Sequence, residues 1–159
     1  IRQNGTSPVR GFETGVRANF EAHFAQAPAQ LLPREGLVGT FRELNGLGVT
    51  GDDLTPHHMP SSKYMRNKGV SHNDGISMWV EEPNPGTGGR HRQTRTYGRR
   101  GASNNLVNEL PRMSLARDIQ DMRLIYQNDG VYTSEIRAAL QKVIQDNRIT
   151  HAPLFDKKG

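Results

Sequence analysis

A chain of 159 residues with 33% hydrophobic residues, 17 Gly and 9 Pro fits one loop-rich domain with a modest core. The absence of cysteine excludes a disulfide framework and thiolate metal sites, and no apolar run reaches the ~18 residues of a membrane-spanning helix. With 21 Lys+Arg against 16 Asp+Glu, a net charge of +5 admits either a solvated surface or a polyanionic partner.

No signal peptide is visible. The chain starts at Ile1 rather than methionine, which leads us to expect a piece of a larger polypeptide. Residues 1–10 read as a tail. Phe12, Val16, Phe20 and Phe24 recur every four residues and predict a short amphipathic helix over 12–26. Pro28 and Pro33 interrupt the stretch after it. Residues 37–47 are mixed, and Gly36, Gly39, Gly46 and Gly48 argue for turns. We therefore expect residues 1–40 to be an arm leading in from a larger protein and 41–159 to be the functional domain.

His57 and His58 stand between Pro56 and Pro60, which favours extended backbone. Neighbouring side chains on such a backbone point to opposite faces. One imidazole can then reach a metal while the other reaches a water. Ser61 is placed to cap a helical turn over 62–68 that Gly69 closes. Residues 72–75, His-Asn-Asp-Gly, have turn chemistry. Ile76, Met78 and Val80 then alternate with Ser77, Trp79 and Glu81 as in a strand. Residues 83–89 form a Gly/Pro loop, and a helix is predicted over 90–97. Further on, Leu115, Ile119, Met122 and Ile125 or Tyr126 predict a helix capped by Ser114, broken at 128–130. Ile136, Leu140, Val143 and Ile144 predict a second over 134–147. The two are expected to pack together, which makes the fold class α+β.

Phosphodiester hydrolysis needs a cation to stabilise charge, a base to activate water and positive groups to hold the backbone. Histidine suits the base because it titrates near neutrality, and it also ligates borderline metals. His57, His58 and, further on, His91 supply these residue types. A base on a first strand and a ligand on a helix after a second strand make the order β, β, α. Arg90, Arg92, Arg95, Arg99 and Arg100 fall within eleven residues, with no Asp or Glu between 83 and 108. With nothing nearby in sequence to neutralise them, they are expected to contact phosphate.

Other candidates carry less. The segment 86–90 lacks the Gly-Lys-Ser/Thr ending of a phosphate-binding P-loop. Asp52-Asp53 reads as a turn and Glu81-Glu82 as an exposed strand end. Trp79 reads as packing, and His23 and His151 as structural.

His57-His58, then 73–78 (Asn-Asp-Gly-Ile-Ser-Met), then 90–94 (Arg-His-Arg-Gln-Thr) resemble the ββα-metal nucleases, the HNH and endonuclease VII group. Within it the chain is most similar to the His-His nuclease domains at the C-termini of bacterial polymorphic toxins, including Rhs-type effectors. The resemblance covers roughly residues 50–100. It implies a small ββα-metal unit with supporting C-terminal helices, His57 and His91 as metal ligands, His58 as general base and Asn73 as the residue that orients the base through its backbone or side chain. It also implies a divalent metal ion, a nucleic-acid substrate with DNA first and RNA second, a cognate immunity protein, and delivery into the cytoplasm of a target cell. Where many relatives carry a second helix ligand, this chain has Arg95, so the expected shell is sparse. A hydrated Mg2+ is the first expectation, with Zn2+, Mn2+ or Ni2+ as alternatives. His72 is a rival for either histidine role. The competing readings are a metal-free RNase using His58 and His91, an ADP-ribosyltransferase drawing on Glu81, Glu82 or Glu109, and a basic nucleic-acid-binding module without catalysis.

Overall fold

The computed structural model describes residues 28–98 and 108–156. The helix expected over 12–26, the tail at 1–10, His23, Arg99 and Arg100 lie outside these residues. The protein is a small α+β fold. Strands β1 (Val38–Thr40), β2 (Leu54–His58) and β3 (Ile76–Glu81) form one antiparallel sheet in the order β1-β3-β2. Pro56 breaks no ladder because β2 is an edge strand, where a missing N–H can face outward. As the central strand, β3 is covered on both sides. Ile76 to Val80 are all buried, which corrects the one-sided alternation expected from the sequence.

The stretch 37–47, expected as turns, holds β1 and then helix α1 (Phe41–Gly46). Thr40 caps α1 and Glu43 returns a bond to the Thr40 backbone. This reciprocal cap offsets the glycines that argued against a helix. The expected boundary at residue 40 falls inside the packed body, because β1 belongs to the sheet and Glu35 lies beneath it with its side chain fully buried. Helix α2 (Ser62–Asn67) starts where expected: the Ser61 hydroxyl accepts from the Tyr64 amide. A 3-10 turn at His72–Asp74 leads into β3. Helix α3 (Arg90–Gln93) is four residues long, shorter than the expected 90–97.

Helix α4 (Pro111–Asn128) begins at Pro111 with no side-chain cap. Ser114, expected as the cap, is instead buried within the helix. Proline at the first turn is preorganised for helical backbone. Helix α5 (Ser134–Thr150) is capped by Thr133, and α6 (Ala152–Phe155) comes after it. Leu115, Met122, Ile125 and Tyr126 of α4 pack with Ile136, Leu140 and Val143 of α5 against Met59, Ile76, Met78 and Val80. Ile144, expected on the buried face of α5, is 36% exposed. The Asn147 amide donates to the Met59 carbonyl at 2.8 Å, tying α5 to the end of β2.

Candidate functional site

Sheet register assigns each histidine of the pair its own neighbours. His57 pairs with Met78 and His58 with Ser77, so the two imidazoles leave opposite faces of β2, as adjacent strand residues must. Helix α3 packs on β3 and brings His91 to His57, their rings meeting edge-on with centroids 5.1 Å apart. On the other side His58 is stacked on Phe41 at 4.9 Å and 13°, and His72 lies 4.6 Å from it. Phe41, His57, His58, Ser61, Lys63, His72 and His91 are among the residues lining one open cleft of about 270 Å³.

The protonation of the rings is set by burial. His57 is 5% exposed, and desolvation, with smaller contributions from His91 and His58, holds its pKa well below the usual histidine value. His58 is lowered to about 4, again chiefly by burial, against a raising contribution from its bond to the His72 backbone. Burial also lowers His91, opposed by Glu82. All three are neutral at pH 7 and carry a free lone pair.

Which nitrogen is free depends on the partners. His91 Nδ1–H donates to Glu82 Oε2 at 2.7 Å, leaving Nε2 as the electron-pair donor. This carboxylate–imidazole arrangement is the one that braces metal-bound histidines. His58 Nε2–H donates to the His72 carbonyl at 2.9 Å, leaving Nδ1 basic. The residue expected to orient the base, Asn73, sits exposed in the 3-10 turn, and the carbonyl that holds His58 belongs to its neighbour His72. His72 itself shares a hydrogen bond of 2.8 Å with Ser62 Oγ and flanks His58 rather than His57.

The residues fit a divalent cation in part. A ring nitrogen sits about 2 Å from a bound metal, so two imidazoles sharing one ion keep their rings near the separation seen for His57 and His91. Among the described residues no group of three His, Asp or Glu is arranged to hold a metal. The candidate shell is therefore two imidazoles, with Glu82 committed to bracing one of them.

The arginine cluster corrects the sequence reading. Arg90 is 1% exposed and buried among carboxylates: its Nε meets Glu35 at 2.7 Å, with Asp129 at 3.0 Å and Glu81 at 3.4 Å. It is a structural tie and cannot reach a phosphate. Arg92 is bound to Glu82, at 3.5 Å, and to the carbonyls of Gly88 and Pro83. Arg95 is paired with Asp118. The carboxylates absent from 83–108 in sequence are supplied in space by β3, α4 and the segment before β1. The loop at 83–89 folds on itself: a Cβ at Gly89 (φ +84°) would meet Pro83 and the Glu81 carbonyl under 3 Å away.

Sequence reasoning passed over Phe41, Glu35 and the role of Glu82. Glu82 was legible only as one of an acidic pair, and its place beside His91 comes from α3 folding back over the end of β3. Asp52, read as a turn residue, is one: it accepts from the Val49 and Leu54 amides and pairs with Arg34. Trp79 is 1% exposed, as packing requires, with Arg34 4.2 Å over its ring. His151 contacts the Asp74 carbonyl at 3.1 Å. No helix is long and apolar enough to cross a membrane among the described residues. The chain matches no protein-family model, no curated protein and no solved structure.

Proposed function

We propose that the chain is a metal-dependent endonuclease domain that hydrolyses phosphodiester bonds, with DNA the first substrate. The observation that carries this reading is the convergence of three neutral imidazoles on one cleft, each restrained differently: His57 by burial, His91 by Glu82, His58 by a backbone carbonyl and the Phe41 ring.

In the proposed reaction His58 Nδ1 takes a proton from water, the resulting hydroxide attacks phosphorus, and the P–O3′ bond breaks. The leaving oxygen is protonated from solvent, and the proton on His58 returns to solvent. A divalent cation held by His57 and His91 would supply positive charge to the phosphate and the leaving oxygen. Two nitrogen donors with no carboxylate ligand suit Zn2+ or Ni2+ better than the oxygen-seeking Mg2+ and Mn2+, so the order of expectation shifts away from Mg2+. Phe41 and the His72 carbonyl hold the plane of the base, which keeps Nδ1 in one orientation.

The toxin role, delivery into a target-cell cytoplasm and a cognate immunity protein are parts of the proposal that rest on the resemblance alone. The transferase alternative is less favoured because its carboxylates are engaged: Glu81 with Arg90, Glu82 with His91 and Glu109 with Arg117. The metal-free RNase alternative is less favoured because burial keeps both His58 and His91 neutral at pH 7, where an acid–base pair needs one of them protonated.

Plasmid cleavage by purified protein tests the reading, with Mg2+, Mn2+, Ni2+ and Zn2+ added singly, with EDTA, and beside His58→Ala. Cleavage that needs metal and falls at least ~100-fold in His58→Ala is the expected result. Plasmid left intact under every condition overturns the DNase reading, and RNA cleavage that survives EDTA selects the metal-free alternative.

A further inference from the structure

With Arg90, Arg92 and Arg95 committed to carboxylates, the cleft needs its positive charge from elsewhere, and one helix supplies it. Lys63 and Arg66 of α2 are exposed, while Tyr64 and Met65 between them are buried. Residues three apart are neighbours on a helix surface, so the two cations share its outer face. Lys63 lines the same cleft as His57, His58 and His91. Arg66 is close enough to His58 to be one of the positive charges acting on it. Neither makes an ion pair among the described residues, and no acidic residue lies in the first turn of α2. Nearby, Arg42 is neutralised by Asp74 at 3.0 Å, and Lys68 lies over the Tyr64 ring. Two adjacent like charges without a counter-ion repel each other and weaken a helix slightly. An anion laid along that face removes the penalty.

We propose that Lys63 and Arg66 are the backbone-phosphate clamp of the cleft, holding the DNA strand on α2 beside His58. The proposal rests on the nuclease reading for its ligand and extends it to the residues that bind. Arginine offers a planar fork to a phosphate and lysine a compact charge, and contacts of this kind are electrostatic and independent of base sequence. The clamp lies on the His58 side of the cleft, so it would position the phosphodiester against the base and leave His57 and His91 on the far side.

The test is fluorescence anisotropy with a fluorescein-labelled 16-base-pair DNA duplex, in EDTA, using the His58→Ala protein so that no strand is cut. Lys63→Ala and Arg66→Ala are added singly and together, with Arg137→Ala on α5 as a control that removes the same charge outside the cleft. Each clamp variant is expected to weaken binding about five- to tenfold, and the double variant to lower the slope of log K against log salt by about 1.8, two phosphates at 0.9 each. Arg137→Ala is expected to stay within twofold of the parent. Circular dichroism melts establish that the variants fold, which alanine on an exposed helix face favours. Equal losses in the clamp and control variants, or duplex binding too weak to measure, overturn the clamp. Unmodified protein that cuts plasmid normally while the clamp variants bind as the parent does overturns the clamp and leaves the nuclease reading standing. Clamp-dependent binding by a protein that cuts nothing upholds the clamp and overturns the nuclease reading.

Discussion

At the scale of single residues the site depends on fixing ring orientation without charging the rings. His58 is enclosed by Phe41, His72 and Gly75. A Cβ at Gly75 would sit 2.7 Å from His58 Cδ2, although the backbone there (φ −66°) suits any residue. Gly75→Ala is therefore expected to leave the fold intact and displace the ring, lowering the cleavage rate at least tenfold with a melting temperature close to that of the parent. Glu82 acts on the other side. Removing the carboxylate that braces a metal-bound imidazole costs about 10- to 100-fold in metal affinity. Titration calorimetry with Ni2+ or Zn2+ should show that loss in Glu82→Ala. An unchanged affinity would mean that His91 is not a ligand. With His58 titrating at about 4, its basic form persists well below neutrality. The acid limb of kcat/KM should fall near pH 4 in the free enzyme, whereas an unperturbed histidine would place it near 6.5.

At the scale of elements, a short helix is held where its own hydrogen bonds could not hold it. Four residues of α3 are too few for an independent helix. The helix is anchored instead through Arg90, which joins it to Glu35 ahead of β1, Glu81 of β3 and Asp129 after α4. Glu35 also accepts from the Leu32 amide and the Tyr126 hydroxyl. Truncating one member of such a buried network leaves an uncompensated charge, at about 3–5 kcal/mol. Arg90→Ala should lower the unfolding free energy in urea by that amount and remove metal binding with it, since His91 is the next residue. A variant that kept full stability would show that α3 is held by other contacts. Arg95 plays a smaller part of the same kind, linking the turn after α3 to Asp118 in α4. Burial raises the Asp118 carboxyl to about 6, against the lowering effect of Arg95.

At the scale of the whole molecule these titrations combine into a pH profile. A histidine at about 4 in the native chain and 6.5 unfolded adds no penalty above pH 6.5, because both states are neutral. As pH falls from 6.5 to 4 the unfolded chain gains a proton that the native chain refuses, and stability drops by about 3 kcal/mol for His58. His57 and His91 act in the same direction. Asp118 acts in the opposite one: its native form takes up a proton near pH 6, ahead of the unfolded carboxyl at 3.8, and so regains stability below that point. Asp121 acts with Asp118; with three imidazoles set against these two carboxyls, the melting temperature should fall between pH 6.5 and 4. The fall should be shallower in His58→Ala. A profile that does not change with that substitution would place the His58 ring in solvent.

What the sequence determined by itself was local. Pro56 and Pro60 around His57-His58 dictated extended backbone, Ser61 dictated the start of α2, and the apolar spacing of 115–126 and 136–143 dictated two core helices. These signals act over a few residues and need no partner. Tertiary structure decided charge and proximity. Arg90, Arg92 and Arg95 read as a free phosphate-binding run because their nearest acidic residues in sequence are distant, yet folding brings Glu35, Glu82, Asp118 and Asp129 against them. The same folding leaves Lys63, unremarkable in sequence, lining the cleft and Arg66 three residues further along the same helix, both without counter-ions among the described residues. Electrostatic energy depends on distance through space, and a linear pattern carries that distance only where the chain is its own nearest neighbour.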